Sequence, residues 1–84
     1  MTNEQIEKFL QQKRLEQVPV RISFKTRKTL VGMFIKTADY AELKTKNFWR
    51  IVGEANIESY LKSKDMGLAR IYSGSEIVRL AGAK

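Results

Sequence analysis

The side chains in this sequence that could do chemistry are chiefly cations. Lys and Arg number 16 against 9 Asp and Glu, which gives a net charge of +7, and there is no His. Half of the cations lie in residues 18–53 with only two acidic residues, so this segment alone carries +6. Such a concentration of positive charge favours a polyanion, above all a nucleic acid, as the partner. The alternative is that the lysines simply keep a small protein soluble.

The residues that enzymes use for acid–base or nucleophilic chemistry are poorly represented. The absence of Cys and His excludes disulfides, thiolate chemistry and imidazole ligands. The carboxylates of the central and C-terminal parts show no pairing at metal or acid–base spacing: Asp39, Glu42, Glu54, Glu58, Asp65 and Glu76. A nucleophile would have to be a Ser or Thr without a histidine partner. We therefore expect no enzyme activity, no cofactor and no metal site.

The length of 84 residues predicts one domain, 1–84, because so short a chain cannot bury two separate cores. Its apolar fraction of 43% is enough to fold, although small domains often gain stability by associating. No apolar run approaches the roughly 20 residues of a membrane span, and the first residues lack a signal-peptide pattern. We expect a soluble, cytoplasmic protein with no membrane contact and no small-molecule substrate.

The N-terminal part predicts a helix followed by a half-buried strand. Ile6, Phe9 and Leu10 recur at helical spacing within residues 3–14, and Thr2 or Asn3 can cap this helix. Apolar and polar residues then alternate from 18 to 25, which is typical of a strand with one buried face. Residues 26 and 27 are expected to make the hairpin connection to strand two.

The remaining pattern predicts four further strands. Strand two is expected over 28–37, with a bend or a close backbone approach at Gly32. Residues 38–40 should turn, and strand three should run from Ala41 to Val52 with a bend at Asn47. The connector 54–67 has apolar residues at helical spacing, which indicates one or two helical turns. Strands four and five are expected at 68–72 and 76–80, followed by a frayed tail.

The order of these features resembles the Sm-like superfamily. The first half is closest to the bacterial host-factor (Hfq-type) branch, and it follows that branch in order at Phe9, Leu10, Arg14, Glu16, Val18, Pro19, Val20, Ile22, Leu30, Gly32, Asp39, Lys46 and Asn47. Residues 73–80 are instead similar to the second motif of the archaeal and eukaryotic members. Together the matches cover about half of the chain.

The resemblance implies a mainly β fold in which an N-terminal helix precedes a strongly bent, five-stranded antiparallel small barrel of the Sm-like or SH3-like type. It also implies a cyclic homo-oligomer of about five to eight subunits, in which strand four of one subunit pairs with strand five of the next. Head-to-tail pairing of this kind satisfies sheet edges that would otherwise aggregate. The expected interface residues are Leu68, Arg70, Ile71, Ile77, Val78 and Leu80.

The resemblance further implies that single-stranded RNA binds at two loops lining the pore of the ring. Carried over to this chain, the loops are Asp39-Tyr40-Ala41 and Tyr72-Ser73-Gly74, with Tyr40 as the stacking residue. The expected cations are Lys44 and Lys46, with Arg50 and Arg70 as further candidates and Lys13 with Arg14 as a weaker basic rim.

Two positions depart from the family pattern and keep other interpretations open. The stacking residue of the family stands one position later, at Ala41, and Ser73 replaces an expected Arg. The leading hypothesis is a ring that holds single-stranded RNA extended, as an RNA chaperone would. The alternatives are a small basic barrel that binds duplex DNA and a scaffold ring that has lost base recognition. Tyr72 and Trp49 could also be core or interface aromatics, and Asp39 could simply orient its turn.

Overall fold

The computed structural model of the chain describes residues 1–12 and 18–82. Its helices are α1 (Asn3–Gln12), α2 (Tyr40–Thr45) and α3 (Ile57–Ser63). Its strands are β1 (Pro19–Phe24), β2 (Leu30–Phe34), β3 (Phe48–Gly53), β4 (Ala69–Ser73) and β5 (Ile77–Gly82). Single 3-10 turns occupy Glu54–Asn56, Met66–Leu68 and Gly74–Glu76. Within the described ranges, no helix combines the length and the apolar character needed to cross a membrane.

Helix α1 begins with Thr2, one of the two predicted caps. The Thr2 hydroxyl accepts a hydrogen bond from the Gln5 backbone N–H at 3.2 Å, and the Gln5 side chain accepts one from the Thr2 N–H at 2.9 Å. This reciprocal pair satisfies two of the N–H groups that a helix start leaves without partners. Ile6 and Leu10 lie one above the other on the buried face. The predicted end of the helix at 13–14 lies outside the described residues.

The five strands form one antiparallel sheet in the order β4-β3-β2-β1-β5, so the predicted helix and five-stranded antiparallel sheet are confirmed. Strands β4 and β5 lie at opposite edges of the sheet, yet only Gly74–Glu76 separate them in the chain. Flat strands at a spacing of about 4.8 Å would put these edges about 19 Å apart, whereas the connection spans at most about 14 Å. The sheet is therefore curled, and the rings of Phe24 on β1 and Tyr72 on β4 meet with centroids 5.4 Å apart.

The curled sheet buries a different apolar cluster on each face. The larger cluster lies between the sheet and α1, and its members are Ile6, Leu10, Val20, Ile22, Phe24, Phe34, Trp49, Ile51, Ile77 and Leu80. The smaller cluster consists of Met33, Ile35, Val52 and Tyr60, and it seats α3 against β2 and β3. Gly32 marks a close approach between these two strands, because an added Cβ would lie 2.7 Å from Cγ2 of Ile51.

Strand three was predicted too long. Residues Tyr40–Thr45 form helix α2, and β3 begins only at Phe48. Ala, Glu, Leu and Lys in this segment are among the best helix formers, and Asp39 stands at the N-cap position. Asn47, with φ 60°, then directs the chain out of the helix and into β3. Strand β2 is also shorter than predicted. The extra helix makes the fold mixed α/β rather than mainly β.

The connector 54–67 is confirmed as partly helical, since it contains a 3-10 turn and α3. The predicted tail began at Ala81, and its last two positions, 83–84, lie outside the described residues. Strand β5 continues through Ala81 and Gly82, whose Cα atoms are the register partners of Arg21 and Val20 on β1. These two residues therefore belong to the sheet rather than to a frayed tail.

Candidate nucleic-acid interface

Asp39, predicted in the first RNA-binding loop, is engaged within the fold. Arg50 donates to both of its carboxylate oxygens, from Nη2 to Oδ2 at 2.8 Å and from Nε to Oδ1 at 3.3 Å. The hydroxyl of Thr37 donates a further hydrogen bond to Oδ1. These hydrogen bonds, that from Arg50 foremost, lower the pKa of the Asp39 carboxyl from its ordinary 3.8 to about 2. These contacts join Asp39, the residue before α2, to Arg50 on β3.

Tyr40, the predicted stacking residue, lies half-buried against Trp49. The two rings meet edge to face with centroids 6.0 Å apart, and Trp49 meets Phe34 in the same manner at 5.9 Å. The Nζ atoms of Lys36 and Lys44 lie 5.3 and 5.8 Å from the centroid of the Tyr40 ring. Tyr40 thus serves as a contact between α2 and the core, and Trp49 is a core aromatic with 2% of its surface exposed.

The two lysines predicted to bind phosphate differ in environment. Lys44 forms a salt bridge with Glu7 of α1, and its backbone carbonyl accepts a hydrogen bond from the Asn3 side chain at 2.9 Å. The hydrogen bond to Glu7 raises the pKa of the Lys44 ammonium. Lys46 and Ala41 are exposed to solvent at the two ends of α2. Lys44 therefore ties α1 to α2, while Lys46 is available to a ligand.

Gly74, in the second predicted loop, is buried and packed against Asn47. Its backbone N–H donates to the Asn47 carbonyl at 2.7 Å. The side chain of Asn47 accepts from Nε1 of Trp49 at 2.9 Å and donates from Nδ2 to the Met1 carbonyl at 3.0 Å. Gly74 is therefore part of the framework of the second loop and offers no surface to a ligand.

The other residues of that loop open onto a groove of about 380 Å³, which we call the Tyr72 groove. It is lined by Phe24, Thr26, Arg27, Arg70, Ile71, Tyr72, Ser73 and Glu76. Phe24 and Thr26–Arg27 come from the end of β1 and the loop that follows, whereas the others come from β4 and the turn after it. The curl of the sheet brings these two parts of the chain together.

Aromatic and cationic groups share the Tyr72 groove. Tyr72 is half-buried, and Cζ of Arg27 lies 5.7 Å from its ring centroid. Arg27 and Arg70 are exposed, and among the described residues neither takes part in a salt bridge. The hydroxyl of Ser73, a lining residue, lies 2.7 Å from that of Ser75. A planar ring, two exposed cations and hydroxyl groups suit a nucleotide, which needs a stacking surface, phosphate contacts and polar partners.

The predicted site residues thus fall into two groups. Tyr72, Ser73 and Arg70 line one groove, whereas Asp39, Tyr40 and Ala41 lie around α2 and are absent from its lining. Trp49 lies between the two groups. Tyr40 contacts the ring of Trp49, and Tyr72 on β4 is the register partner of Trp49. The weaker basic rim at 13–14 lies outside the described residues.

Four lining residues were missed as site residues: Phe24, Thr26, Arg27 and Glu76. The signal that pointed towards them was the run of cations at Lys25, Arg27 and Lys28 directly after β1. Such a run in a hairpin connection indicates a cationic surface at one end of the sheet. The run of cations does not indicate which other part of the chain lies opposite that surface.

The predicted interface residues also separate by burial. Ile71 on β4 and Val78 on β5 are 49% and 52% exposed, and Arg70 is exposed as well. Ile77 and Leu80 are buried in the larger cluster, and Leu68 packs against the smaller one. The side chains of these three residues therefore stabilise the protomer itself, and at Ile77 and Leu80 only the backbone is left to pair with another strand.

Comparisons with known proteins leave the site to be interpreted from its own geometry. None of the protein families, curated proteins or solved structures compared with this chain matches it. Within residues 1–12 and 18–82, no three Asp or Glu side chains come together as a metal site would require.

Proposed function

We propose that this protein is a non-enzymatic, ring-forming protein of the cytoplasm that binds single-stranded RNA in the Tyr72 groove. The observation that carries the proposal is the joint placement of Tyr72, Arg27 and Arg70 around one groove. The helix and five-stranded antiparallel sheet also agree with the Sm-like architecture that the sequence resembles. Holding RNA segments extended in this way would let the protein act as an RNA chaperone.

Single strands fit the groove better than duplexes, because only an unpaired base can turn its face to an aromatic ring or a guanidinium plane. Stacking on one aromatic side chain contributes about 1–3 kcal/mol per base. Arg27 and Arg70 add phosphate contacts, and each such contact releases counterions, so that affinity falls steeply with salt. The net charge of +7 adds long-range attraction for the RNA backbone.

Ring formation is supported by the two edges of the sheet. Among the described residues, β4 pairs only with β3 and β5 pairs only with β1, so each strand keeps one edge without a partner. Ile71 and Val78, one at each edge, expose about half of their surface. Pairing β4 of one copy with β5 of the next would cover both residues and satisfy both edges.

The test is fluorescence anisotropy with a labelled single-stranded RNA of mixed sequence at several salt concentrations. We expect Tyr72→Ala and Arg27→Gln each to weaken binding about tenfold. Lys62→Gln is the control for Arg27→Gln, because it removes the same charge from α3, where the exposed Lys62 forms a surface salt bridge with Glu58. It should weaken binding less than about twofold, through long-range electrostatics alone.

Two outcomes would replace the proposal. Equal affinity for duplex DNA, with no effect of Tyr72→Ala, would indicate a basic barrel that binds duplexes through their phosphates. Weak binding that responds equally to Arg27→Gln and Lys62→Gln would indicate a scaffold without a base site.

A further inference from the structure

An acidic side chain lies among the cations of the Tyr72 groove. Glu76 lines the groove together with Arg27 and Arg70, and its side chain is exposed. Its carboxylate takes part in none of the hydrogen bonds or salt bridges found within residues 1–12 and 18–82. A free carboxylate repels the phosphates that the two arginines would attract. It can instead accept hydrogen bonds from a donor group of the ligand.

The backbone holds Glu76 at a fixed place in the groove. Its carbonyl accepts a hydrogen bond from the Lys25 N–H at 2.9 Å. It closes the 3-10 turn Gly74–Glu76, and the next residue, Ile77, is fully buried in the core. The turn itself is tied to Asn47 through Gly74. The backbone from which the carboxylate projects is thus held in place.

We propose that Glu76 is the base-reading residue of the groove and that it selects guanine. This inference rests on the proposed binding of single-stranded RNA. The Watson–Crick edge of guanine presents two adjacent donors, N1–H and the N2 amino group, and a carboxylate presents two adjacent acceptors. Such a bidentate, charge-assisted pair is both strong and directional. Thr26 and Ser73 line the same groove, and a hydroxyl is a group that can donate to O6.

The other bases match the carboxylate less well. Adenine and cytosine each place one amino donor beside a ring nitrogen acceptor, which would face the second carboxylate oxygen. Uracil places a single N3–H between two carbonyl oxygens. Each good bidentate pair discriminates against a wrong base by about tenfold or more. Stacking on Tyr72 or Arg27 adds to the affinity of a purine but does not distinguish guanine from adenine.

The experiment compares four RNA pentamers of uridine in which the central base is guanine, adenine, cytosine or uracil, and a fifth with inosine at the centre. We expect the guanine pentamer to bind about tenfold more tightly than the others. Inosine lacks the N2 amino group and should fall between guanine and uracil. Glu76→Gln should remove the preference for guanine. Glu58→Gln, which removes an exposed carboxylate of α3, should retain it.

The outcomes separate this inference from the proposed function. Binding of all pentamers that depends on Tyr72 but shows no preference for guanine would overturn the role of Glu76 and leave the RNA site intact. The same holds if Glu76→Gln strengthens every pentamer equally, because Glu76 would then only repel phosphate. Failure of Tyr72→Ala to weaken any pentamer would instead remove the RNA site itself. Circular dichroism of each variant establishes that it is folded.

Discussion

Gly74 donates its backbone N–H to the carbonyl oxygen of Asn47 at 2.7 Å, and this bond joins the turn after β4 to the junction between α2 and β3. Asn47 adopts φ 60° at that junction, a conformation that Asn tolerates better than most residues. The glycine is needed for steric reasons, since a Cβ at position 74 would lie 2.6 Å from Cγ of Asn47. The position of the turn between β4 and β5 therefore depends on this one close contact.

The first prediction concerns this contact. Gly74→Ala should lower the free energy of unfolding by about 1–3 kcal/mol, because the added methyl group overlaps the Asn47 side chain and displaces it from Trp49. Gly53→Ala is the matched control, since nothing lies within 4 Å of a Cβ there. We expect the control to change stability by less than about 0.5 kcal/mol. Urea unfolding of both variants measures the difference, and equal effects would contradict the steric argument.

The second prediction concerns the pH dependence of stability. The pKa of Asp39 lies at about 2 in the folded protein, below its ordinary 3.8, chiefly because of the hydrogen bond from Arg50. A depressed pKa means that the pair stabilises the fold above pH 4 and that this contribution is lost as the pH falls from 4 towards 2. Asp39→Asn should therefore be less stable than wild type at pH 7, and the difference should shrink over that acid range.

Arg50→Gln provides the partner for a double-mutant cycle. It removes the main cause of the depressed pKa, so it should reproduce the acid behaviour of Asp39→Asn. The double variant should then cost less than the sum of the two single changes at pH 7. Urea unfolding between pH 2 and pH 7 measures all four proteins. A difference between wild type and Asp39→Asn that stays constant across this range would contradict the assignment.

The sequence was enough to predict the first helix and the first strand of the fold, but not helix α2. The alternation of Val20, Ile22 and Phe24 was enough to predict β1, and the capping residues at positions 2 and 3 were enough to predict the start of α1. Residues 40–45 have strong helix propensity, but most of this segment was predicted as the first part of a long third strand. Local helix propensity predicts this segment better than the strand pattern does. The hydrogen bond between Arg50 and Asp39 also holds the residue before the helix against β3.

The Tyr72 groove could be predicted only in part. Tyr72 and Ser73 were expected from the resemblance to the Sm-like superfamily, whereas Arg27 and Glu76 reach the same groove because the sheet curls far enough to bring β1 and β4 together. The amount of curl depends on packing around Trp49 and Phe24. Residue spacing in the sequence does not contain that information. The same limit explains why Lys44, predicted to bind phosphate, is instead paired with Glu7.

The third prediction separates the two tyrosines. Tyr40→Ala should lower the free energy of unfolding by about 1–3 kcal/mol, because it removes the edge-to-face contact with Trp49. It should weaken RNA binding less than about threefold, since Tyr40 lies outside the groove. Tyr72→Ala should instead weaken binding about tenfold. Anisotropy on folded samples, together with urea unfolding, gives both quantities, and the reverse ranking in binding would place the stacking site at α2.

The fourth prediction concerns the ring. A lysine in an edge strand opposes pairing with another strand, so Ile71→Lys on β4 and Val78→Lys on β5 should each prevent the ring from closing. Leu61→Lys is the control, because Leu61 is 47% exposed on α3, away from both edges. Native mass spectrometry at about 20 μM should give a ring for wild type and the control. A monomeric wild type at that concentration would contradict the model of assembly.

Mixing the two edge variants tests the head-to-tail arrangement itself. Ile71→Lys retains an intact β5 edge, and Val78→Lys retains an intact β4 edge. If β4 of one copy pairs with β5 of the next, the mixture should form one-to-one heterodimers that cannot grow, because each complex ends in two blocked edges. If instead like edges pair with each other, each variant should form homodimers alone, through its intact edge. The masses of the complexes therefore distinguish a closing ring from a symmetric dimer.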